Sequence, residues 1–350
     1  MQNVRLGKTN LQVTKIGFGG IPIQRHTPQK AEDVVFHALQ AGMNWCDTAN
    51  AYGHSEEVIG RVLRRIPRNS VYIFTKGHAE TAEMMRSIVE TSFSRLGINY
   101  IDLYQIHNVR NQEDWEMMLK NGVLDYLLEL KAQGRIGHIG ASAHTKEGAF
   151  AALSSGHIEV FQWPFNIIVA EDSMDILDLC RKQDIGFIAM KPLGGGMITN
   201  GPLCVRFLSR FDEVAADPGF ETVEEIDELF QEAESAADVF YRNSQKSSDE
   251  SMIRSIQAEL GKLFCRRCEY CSPCAQGVRI VLLMTMKSMI KRFPPEKLFK
   301  TWLPPIIASH DQCTECGECE KKCPYELPII SEMKNNVQLW QTAKAEWESA

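Results

Sequence analysis

The chain has 350 residues, 44% of them hydrophobic and 24% charged, and its formal net charge is −7. This acidic balance provides no basic field to neutralise phosphates, which argues against a nucleic-acid partner. No apolar run approaches the ~20 residues that a membrane span needs, so we expect no membrane association.

Short apolar runs typical of β-strands alternate with amphipathic stretches typical of helices. The predicted strands are 13–19, 44–47, 71–75, 101–106, 136–140, 160–163, 186–190 and a weak one near Val214. The predicted helices are 28–41, one from Ser55, 81–96, 123–133, 146–154, 172–183, 202–209 and 222–233. Eight such units in about 240 residues indicate an α/β fold of the (β/α)8 TIM-barrel type.

A doubly wound open sheet is the alternative, and it usually carries G-x-G-x-x-G after the first strand. The glycines at positions 17, 19 and 20 lack that spacing, so the sequence favours the barrel, over residues 1–240. The polar, serine-rich stretch 242–248 is typical of a domain boundary. We expect a linker helix over 241–262, a small second domain over 263–335 and a helical tail over 336–350.

Eight of the eleven cysteines fall in two short runs in the second domain. The first run is Cys265, Cys268, Cys271 and Cys274, and the second is Cys313, Cys316, Cys319 and Cys323, followed by Pro324. A secreted disulfide-rich domain could concentrate cysteines in this way. However, the first seven residues lack the layout of a signal peptide, and a reducing cytosol leaves thiols available to metal. We therefore expect a cytoplasmic, metal-binding protein.

The two runs resemble those of bacterial ferredoxins with two [4Fe–4S] clusters, in which the cysteine before the proline ligates the other cluster. This resemblance implies one cluster on Cys265, Cys268, Cys271 and Cys323, and a second on Cys313, Cys316, Cys319 and Cys274. The first run has two residues before Cys274 where the bacterial pattern has three. The alternative, two four-cysteine zinc sites, usually shows paired C-x2-C knuckles.

Four polar residues lie at or just after predicted strands of the barrel. Asp47 ends one strand and Tyr52 follows it, while Lys76 and His107 follow the next two strands. In this order they resemble the signature of the aldo-keto reductase family, and in particular its iron–sulfur-bearing branch, over about residues 3–235. The resemblance implies that Tyr52 donates a proton, that Lys76 and Asp47 tune it, and that His107 orients the carbonyl.

The chemistry of these residue types agrees with those roles. Hydride addition to a carbonyl develops an alkoxide, which needs a proton donor. A tyrosine pKa near 10 is too high for easy proton transfer at neutral pH, and a nearby ammonium lowers it by favouring the phenolate. An aspartate would hold that ammonium in place.

The same resemblance implies binding of NADP or NAD. Its expected contacts are Gly20, Ser142, Gln162, Lys191, Leu193, Gly195, Gly219, Thr222 and Glu225. Two positions depart from the family pattern, because Ala143 and Met190 stand where an asparagine and a stacking aromatic are common. Near Gly219 the side chains are acidic, which favours a ribose 2′-hydroxyl over a 2′-phosphate. Both nicotinamides remain candidates.

The sequence thus predicts a reductase that transfers hydride reversibly to a small aldehyde or ketone. The clusters leave alternatives open, since hydride transfer moves two electrons and a cluster moves one. They would be structural, or they would exchange electrons with a ferredoxin or another redox partner. In a third alternative the protein senses nucleotide or redox state without turnover.

Overall fold

A computed structural model describes residues 2–349, and Met1 and Ala350 lie outside the described residues. The chain forms two compact units. The first runs to Gly194 and resumes over Thr199–Asp249, while the second comprises Gly195–Ile198 and the chain from Glu250 onward. The division at residue 249 falls inside a helix, within the range for which the sequence predicts a linker helix.

The first unit contains a hairpin followed by a curled parallel sheet of eight strands. The hairpin pairs β1 (Asn3–Arg5) with β2 (Gln12–Thr14). The parallel strands, in sheet order, are β3 (Phe18–Gly19), β4 (Trp45–Asp47), β5 (Tyr72–Gly77), β6 (Ile101–Val109), β7 (Ile136–Ala143), β8 (Val160–Pro164), β9 (Gly186–Met190) and β10 (Val214–Ala216).

Parallel bridges from Ile16 to Ala216 and from Gly19 to Gly219 join the first and last strands. The backbone N–H of Gly17 donates to the carbonyl of Ala216 at 2.9 Å, and the N–H of Ala216 donates to the carbonyl of Lys15 at 2.9 Å. These bonds close the sheet, and the predicted (β/α)8 fold is confirmed.

Helices follow the strands as the hydrophobic pattern predicts. In this unit they are α1 (Pro28–Ala41), α2 (Ser55–Leu63), α3 (Ala82–Leu96), α4 (Gln112–Lys120), α5 (Val123–Ala132), α6 (Lys146–Ser154), α7 (Met174–Lys182), α8 (Gly201–Leu208) and α9 (Val223–Ser235), with 3-10 turns at Pro22–Arg25, Arg68–Ser70 and Glu171–Ser173. α1 begins at a proline and ends before Gly42, which has a left-handed φ of 110°. The sequence analysis missed α4.

The predicted strand 13–19 is wrong in its first part. Val13 and Thr14 belong to the hairpin, whereas the chain from Lys15 onward pairs with β10. The two segments are separated because the indole of Trp45 donates to the carbonyl of Thr14 at 2.9 Å and packs where a side chain on Gly17 would stand. The run of apolar residues therefore covers two elements with different partners.

The hairpin packs against the amino-terminal end of the barrel interior. Val4, Leu6 and Val13 form one buried cluster with an inward-facing residue from each of six barrel strands. Those six residues are Trp45, Phe74, Leu103, Val160, Ile188 and Ala215. Apolar side chains thus fill this end of the barrel, and the polar residues of interest lie nearer the carboxyl ends of the strands.

A long helix, α10 (Val239–Leu260), begins in the first unit and continues into the second. The polar stretch 242–248 is thus helical. Asp249, which follows this stretch, is 1% exposed. Its two carboxylate oxygens accept from Nε of Arg206 at 3.0 and 3.1 Å. Charge-assisted bonds of this geometry are strong, so they fasten the first half of α10 to α8.

The second unit is helical around its own apolar core. Its further helices are α11 (Ile280–Met284), α12 (Met286–Arg292), α13 (Pro295–Lys297), α14 (Leu303–His310), α15 (Glu318–Lys321) and α16 (Ile329–Ser349), with a π turn over Leu298–Trp302. The core includes Leu283, Leu298, Leu303 and Met333. α16 continues across residue 336, where the sequence analysis places the start of a tail. Of the helices in residues 2–349, none has the length and apolarity to cross a bilayer.

The packing of the hairpin predicts that removing a hairpin side chain lowers the stability of the barrel more than removing an exposed one. We expect Leu6→Ala to lower the free energy of unfolding of the barrel by about 2–5 kcal/mol, because it removes a fully buried side chain and leaves a cavity. Leu128→Ala on α5 is the matched control, since that side chain is 40% exposed and should matter by less than about 0.5 kcal/mol. Urea denaturation measures both, and equal effects would contradict the packing role of the hairpin.

Candidate active site

Neighbouring strands bring the predicted catalytic residues to the carboxyl end of the barrel. Asp47 ends β4, Lys76 lies near the end of β5, and His107 lies in the second half of β6. Tyr52 follows in the loop after β4, where its backbone N–H donates to the carbonyl of Ala49 at 2.9 Å. This end of the strands is where (β/α)8 barrels assemble their active sites.

The ammonium group of Lys76 is buried and bonded on two sides. Its Nζ donates to Oδ2 of Asp47 and, at 2.9 Å, to the backbone carbonyl of Thr48. Burial disfavours the charged lysine, but the negative charge of Asp47 and its hydrogen bond to the ammonium oppose that effect and raise the pKa of Lys76. Lys76 therefore stays positively charged at neutral pH.

The Tyr52 ring lies near both this ammonium and the imidazole of His107. Lys76 Nζ lies 5.1 Å from the centroid of the Tyr52 ring, and the ring centroids of Tyr52 and His107 are 6.0 Å apart at an interplanar angle of 84°. A fixed cation this close to a phenol stabilises the phenolate. The arrangement can therefore exchange a proton between the tyrosine and a bound oxygen atom.

His107 is neutral in the folded protein. Burial is the main cause, and the charges of Lys76, His78 and Lys191 add to it, so that the pKa of His107 falls to about 3. A neutral imidazole can donate one hydrogen bond through its N–H. The sequence alone left the protonation state of this residue open.

A ring of polar side chains crosses the barrel interior beneath these residues, and we call Asp47, Gln105, Gln162 and Asp217 the polar ring. Gln105 Nε2 donates to Oδ1 of Asp47 and to Oε1 of Gln162, both at 3.3 Å. Gln162 Nε2 donates to Oδ2 of Asp217 at 2.6 Å, and the carboxyl groups of Asp217 and Asp47 interact electrostatically. The four side chains come from the alternate strands β4, β6 and β8 and from the residue that follows β10. They form one layer of the barrel interior, and layers of four side chains from alternate strands are usual in (β/α)8 barrels.

The sequence analysis missed Gln105 and Asp217. The signal was present, because the residue two positions before each ring member is apolar and faces the interior: Trp45, Leu103, Val160 and Ala215. Successive inward residues on a strand are two positions apart. On β7, Gly140 leaves the necessary space, since a Cβ there would lie 3.0 Å from Cγ of Gln105.

Two of the predicted cofactor contacts are neighbours on adjacent strands. Ser142 on β7 is in register with Gln162 on β8, and both are buried. The Ser142 hydroxyl accepts from the backbone N–H of Asn108 at 2.9 Å, which leaves its own proton to donate. Lys191 follows β9, has a left-handed φ of 54°, and its Nζ lies 3.4 Å from Nδ1 of His144. A hydroxyl beside a carboxamide can hold an amide group, so this donor set fits a nicotinamide.

The predicted glycines and Leu193 have packing reasons within the protein. A Cβ on Gly20 would lie 2.7 Å from the Ser55 hydroxyl, and one on Gly219 would lie 2.5 Å from the Pro22 ring. Leu193 packs against the barrel core. In the second unit, Gly195 has a φ of 68°, and its carbonyl accepts from the Ser288 hydroxyl at 3.0 Å.

Thr222 and Glu225 form a capping box at the start of α9. The Thr222 hydroxyl accepts from the N–H of Glu225 at 3.2 Å, and the Glu225 carboxylate accepts from the N–H of Thr222 at 3.3 Å. Glu221 beside them accepts from Arg25 at 2.7 Å. The helix start is thus capped by the protein itself, and its surroundings carry two carboxylates.

The two cysteine runs have matching backbone conformations. Left-handed φ angles occur at Arg267 and Glu269 in the first run, and at Glu315 and Gly317 in the second. These are the second residue after the first cysteine and the residue after the second cysteine of each run. The backbone therefore turns in the same way at corresponding positions of the two runs, so the two loops are of the same kind.

The thiol contacts also show which cysteines are near one another. Electrostatic interactions connect Cys265, Cys268 and Cys271 with one another, and Cys323 with the first two. Backbone N–H groups donate to the sulfurs of Cys265 and Cys268, as they would to cluster thiolates. Within residues 2–349, no three His, Cys, Asp or Glu side chains converge on a point for a single metal ion.

Comparisons with known proteins identify both units. A sequence model of the aldo/keto reductase family matches residues 15–234, and one of the 4Fe-4S dicluster domain matches residues 264–328. A soybean (Glycine max) protein, "Probable aldo-keto reductase 1", is 31% identical over 214 residues, which are 56% of this chain and 60% of that protein.

Two further relatives match the barrel. The NADH-specific methylglyoxal reductase of Escherichia coli strain K12 is 27% identical over 228 residues, covering 57% of this chain and 69% of that protein. A solved aldo-keto reductase from Klebsiella pneumoniae in complex with NADPH has a TM-score of 0.61 at 20% identity, covering 72% and 95% of the two chains. This last likeness concerns the fold.

The surroundings of His107 predict that its imidazole does not titrate near neutrality. Because burial and three nearby bases lower its pKa to about 3, it should stay neutral from about pH 5 to pH 8. Nitrogen NMR of ¹⁵N-histidine-labelled protein, with the signal assigned through His107→Asn, measures this directly. A titration midpoint near the ordinary value of about 6.5 would contradict the buried, cation-facing environment.

Proposed function

The chain belongs to the aldo/keto reductase family, and on that premise we propose that it is an NAD(P)H-dependent reductase of small aldehydes or ketones. The observation that carries the proposal is the placement of Lys76 between Asp47 and the ring of Tyr52. Tyr52 is the proton donor, Lys76 and Asp47 tune it, and His107 orients the carbonyl.

The nicotinamide, when bound, supplies or accepts the hydride. Ser142 and Gln162 are the residues that would hold its carboxamide, since their side chains offer a donor and an acceptor side by side. Lys191 would face its phosphates. The carboxylates of Glu221 and Glu225 at the start of α9 favour a ribose hydroxyl, and the named specificity of the E. coli relative for NADH agrees with that choice.

The residues of the chain account for the proton. As the carbonyl oxygen gains negative charge, the Tyr52 hydroxyl donates to it, and the phenolate left behind is stabilised by the Lys76 ammonium. Asp47 and the carbonyl of Thr48 fix that ammonium in one position. Neutral His107 donates its N–H to the same oxygen, and its low pKa prevents it from competing with Tyr52 as the acid.

We also propose that the second unit holds two [4Fe–4S] clusters, one on Cys265, Cys268, Cys271 and Cys323, and one on Cys274, Cys313, Cys316 and Cys319. The matching left-handed positions of the two runs support the second cluster despite the shorter spacing before Cys274. Six of these thiols pack against the apolar core of the unit. That packing supports a structural role, in which cluster binding holds the unit folded.

Tyr52→Phe tests the catalytic proposal, because it removes the acidic proton and keeps the ring. We expect kcat for a generic aldehyde to fall by about 10²–10⁴-fold, while nicotinamide binding, measured by fluorescence quenching, stays the same. Tyr100→Phe is the matched control, since Tyr100 is 39% exposed and precedes β6 at the opposite end of the barrel. Full activity in Tyr52→Phe would exclude Tyr52 as the proton donor.

Cys323→Ala tests the cluster assignment. Because Cys323 is assigned to one cluster alone, anaerobically purified Cys323→Ala should contain about half the iron of the wild type. Cys204→Ala is the matched control, since Cys204 is buried in the barrel, outside both runs, and should leave the iron content intact. Chemical iron and sulfide analysis measures both, and wild-type iron in Cys323→Ala would refute the assignment.

A further inference from the structure

Asp217 brings a second carboxyl group into contact with the Lys76–Asp47 pair. It follows β10, and its Oδ2 accepts from Gln162 Nε2 at 2.6 Å. Its carboxyl group also interacts electrostatically with that of Asp47, the partner of Lys76. Glycine at position 19, on the strand between β4 and β10, lets the two acidic strands approach, because a Cβ there would lie 2.5 Å from the carbonyl oxygen of Asp217.

If Asp47 and Asp217 were both ionised, the contact between them would contain hydrogen-bond acceptors and no donor. Asp47 accepts from Lys76 through Oδ2 and from Gln105 through Oδ1. Asp217 accepts from Gln162 through Oδ2, and among residues 2–349 its buried Oδ1 has no hydrogen-bond partner. Two neighbouring carboxylates repel each other and have no proton to share, so the contact and the unpartnered Oδ1 both favour a proton on one of the acids.

We propose that Asp217 is a protonated acid that donates a hydrogen bond from Oδ1 to Asp47 and so positions the Asp47 carboxylate on Lys76. The proton belongs on Asp217 because Asp47 has the direct contact with the ammonium. Asp217 then satisfies its otherwise unpaired oxygen, and the buried group of Lys76, Asp47 and Asp217 is neutral overall. Asp217 is a positioning residue, since it acts through Asp47.

The electrostatics of the site agree with this placement of the proton. Burial and the charge of Asp47 raise the pKa of Asp217 well above its ordinary value, and Lys76 only partly opposes them. The other strands facing Asp217 contribute the uncharged amides of Gln105 and Gln162. If Asp217 loses its proton at alkaline pH, a second negative charge faces Lys76. That charge attracts the ammonium toward the two acids and weakens its stabilisation of the Tyr52 phenolate.

Infrared spectroscopy detects the proton without turnover, so it tests this inference even if the proposed function fails. The full-length, anaerobically purified wild type should show the carbonyl stretch of a buried protonated carboxyl at neutral pH, and Asp217→Asn should lose it. Asp249→Asn is the matched control, because Asp249 is a buried aspartate that is paired with a guanidinium. Loss of carboxylate bands in Asp217→Asn, with no loss of a protonated band, would overturn the proposal.

The effect on rate rests on the proposed function and separates positioning from mere packing. Asp217→Ala removes the donor and leaves Gln162 and Asp47 each short of a partner, so kcat/KM should fall about tenfold. In Asp217→Asn the carboxamide can accept from Gln162 and donate to Asp47, so it should recover most of that loss. The Asp217→Asn variant should also lack any decline in kcat/KM at alkaline pH that ionisation of Asp217 causes in the wild type.

An Asp217→Asn variant as slow as Asp217→Ala, or one that keeps the alkaline decline of the wild type, would overturn the positioning role. If wild type and Tyr52→Phe have equal activity, the proposed function is wrong, while the infrared result still decides the protonation state of Asp217. Thermal unfolding of both Asp217 variants shows whether a loss of rate reflects a loss of fold.

Discussion

Lys76 keeps a positive charge inside the barrel, where burial alone would remove it, and the surrounding residues are arranged to compensate that charge. A buried ammonium needs acceptors in fixed positions, and the side chain of Asp47 with the carbonyl of Thr48 provides them. Within the polar ring, Gln105 donates a hydrogen bond to the other carboxylate oxygen of Asp47. The Tyr52 ring lies 5.1 Å from this charge, and the charge adds to burial in keeping His107 neutral.

The polar ring also explains what the sequence could and could not predict. Asp47 and Lys76 were accessible because they end strands and recur in a known order. Gln105 and Asp217 were not, because a glutamine inside a strand or an aspartate before a proline has many ordinary uses. Their roles depend on closure of the sheet, which brings β10 beside β3 and its neighbour β4. Closure joins residues about 200 positions apart, and no local pattern records it.

The other differences have similar origins. The helix boundaries at Pro28–Ala41 and Lys146–Ser154 were predictable because local caps fix them. The hairpin was missed because its second strand continues directly into the first barrel segment as one apolar run. The cysteine runs were read correctly as an iron–sulfur domain. Their matching left-handed residues were not predictable, since three of the four are arginine or glutamate, where glycine is the usual indicator.

The hairpin packs across the amino-terminal end of the barrel. Its apolar side chains pack there against an inward-facing residue from each of six strands, and the polar ring lies on the other side of that cluster, toward the carboxyl ends of the strands. The hairpin therefore supports the site from below, because it packs on the strands that carry the polar ring.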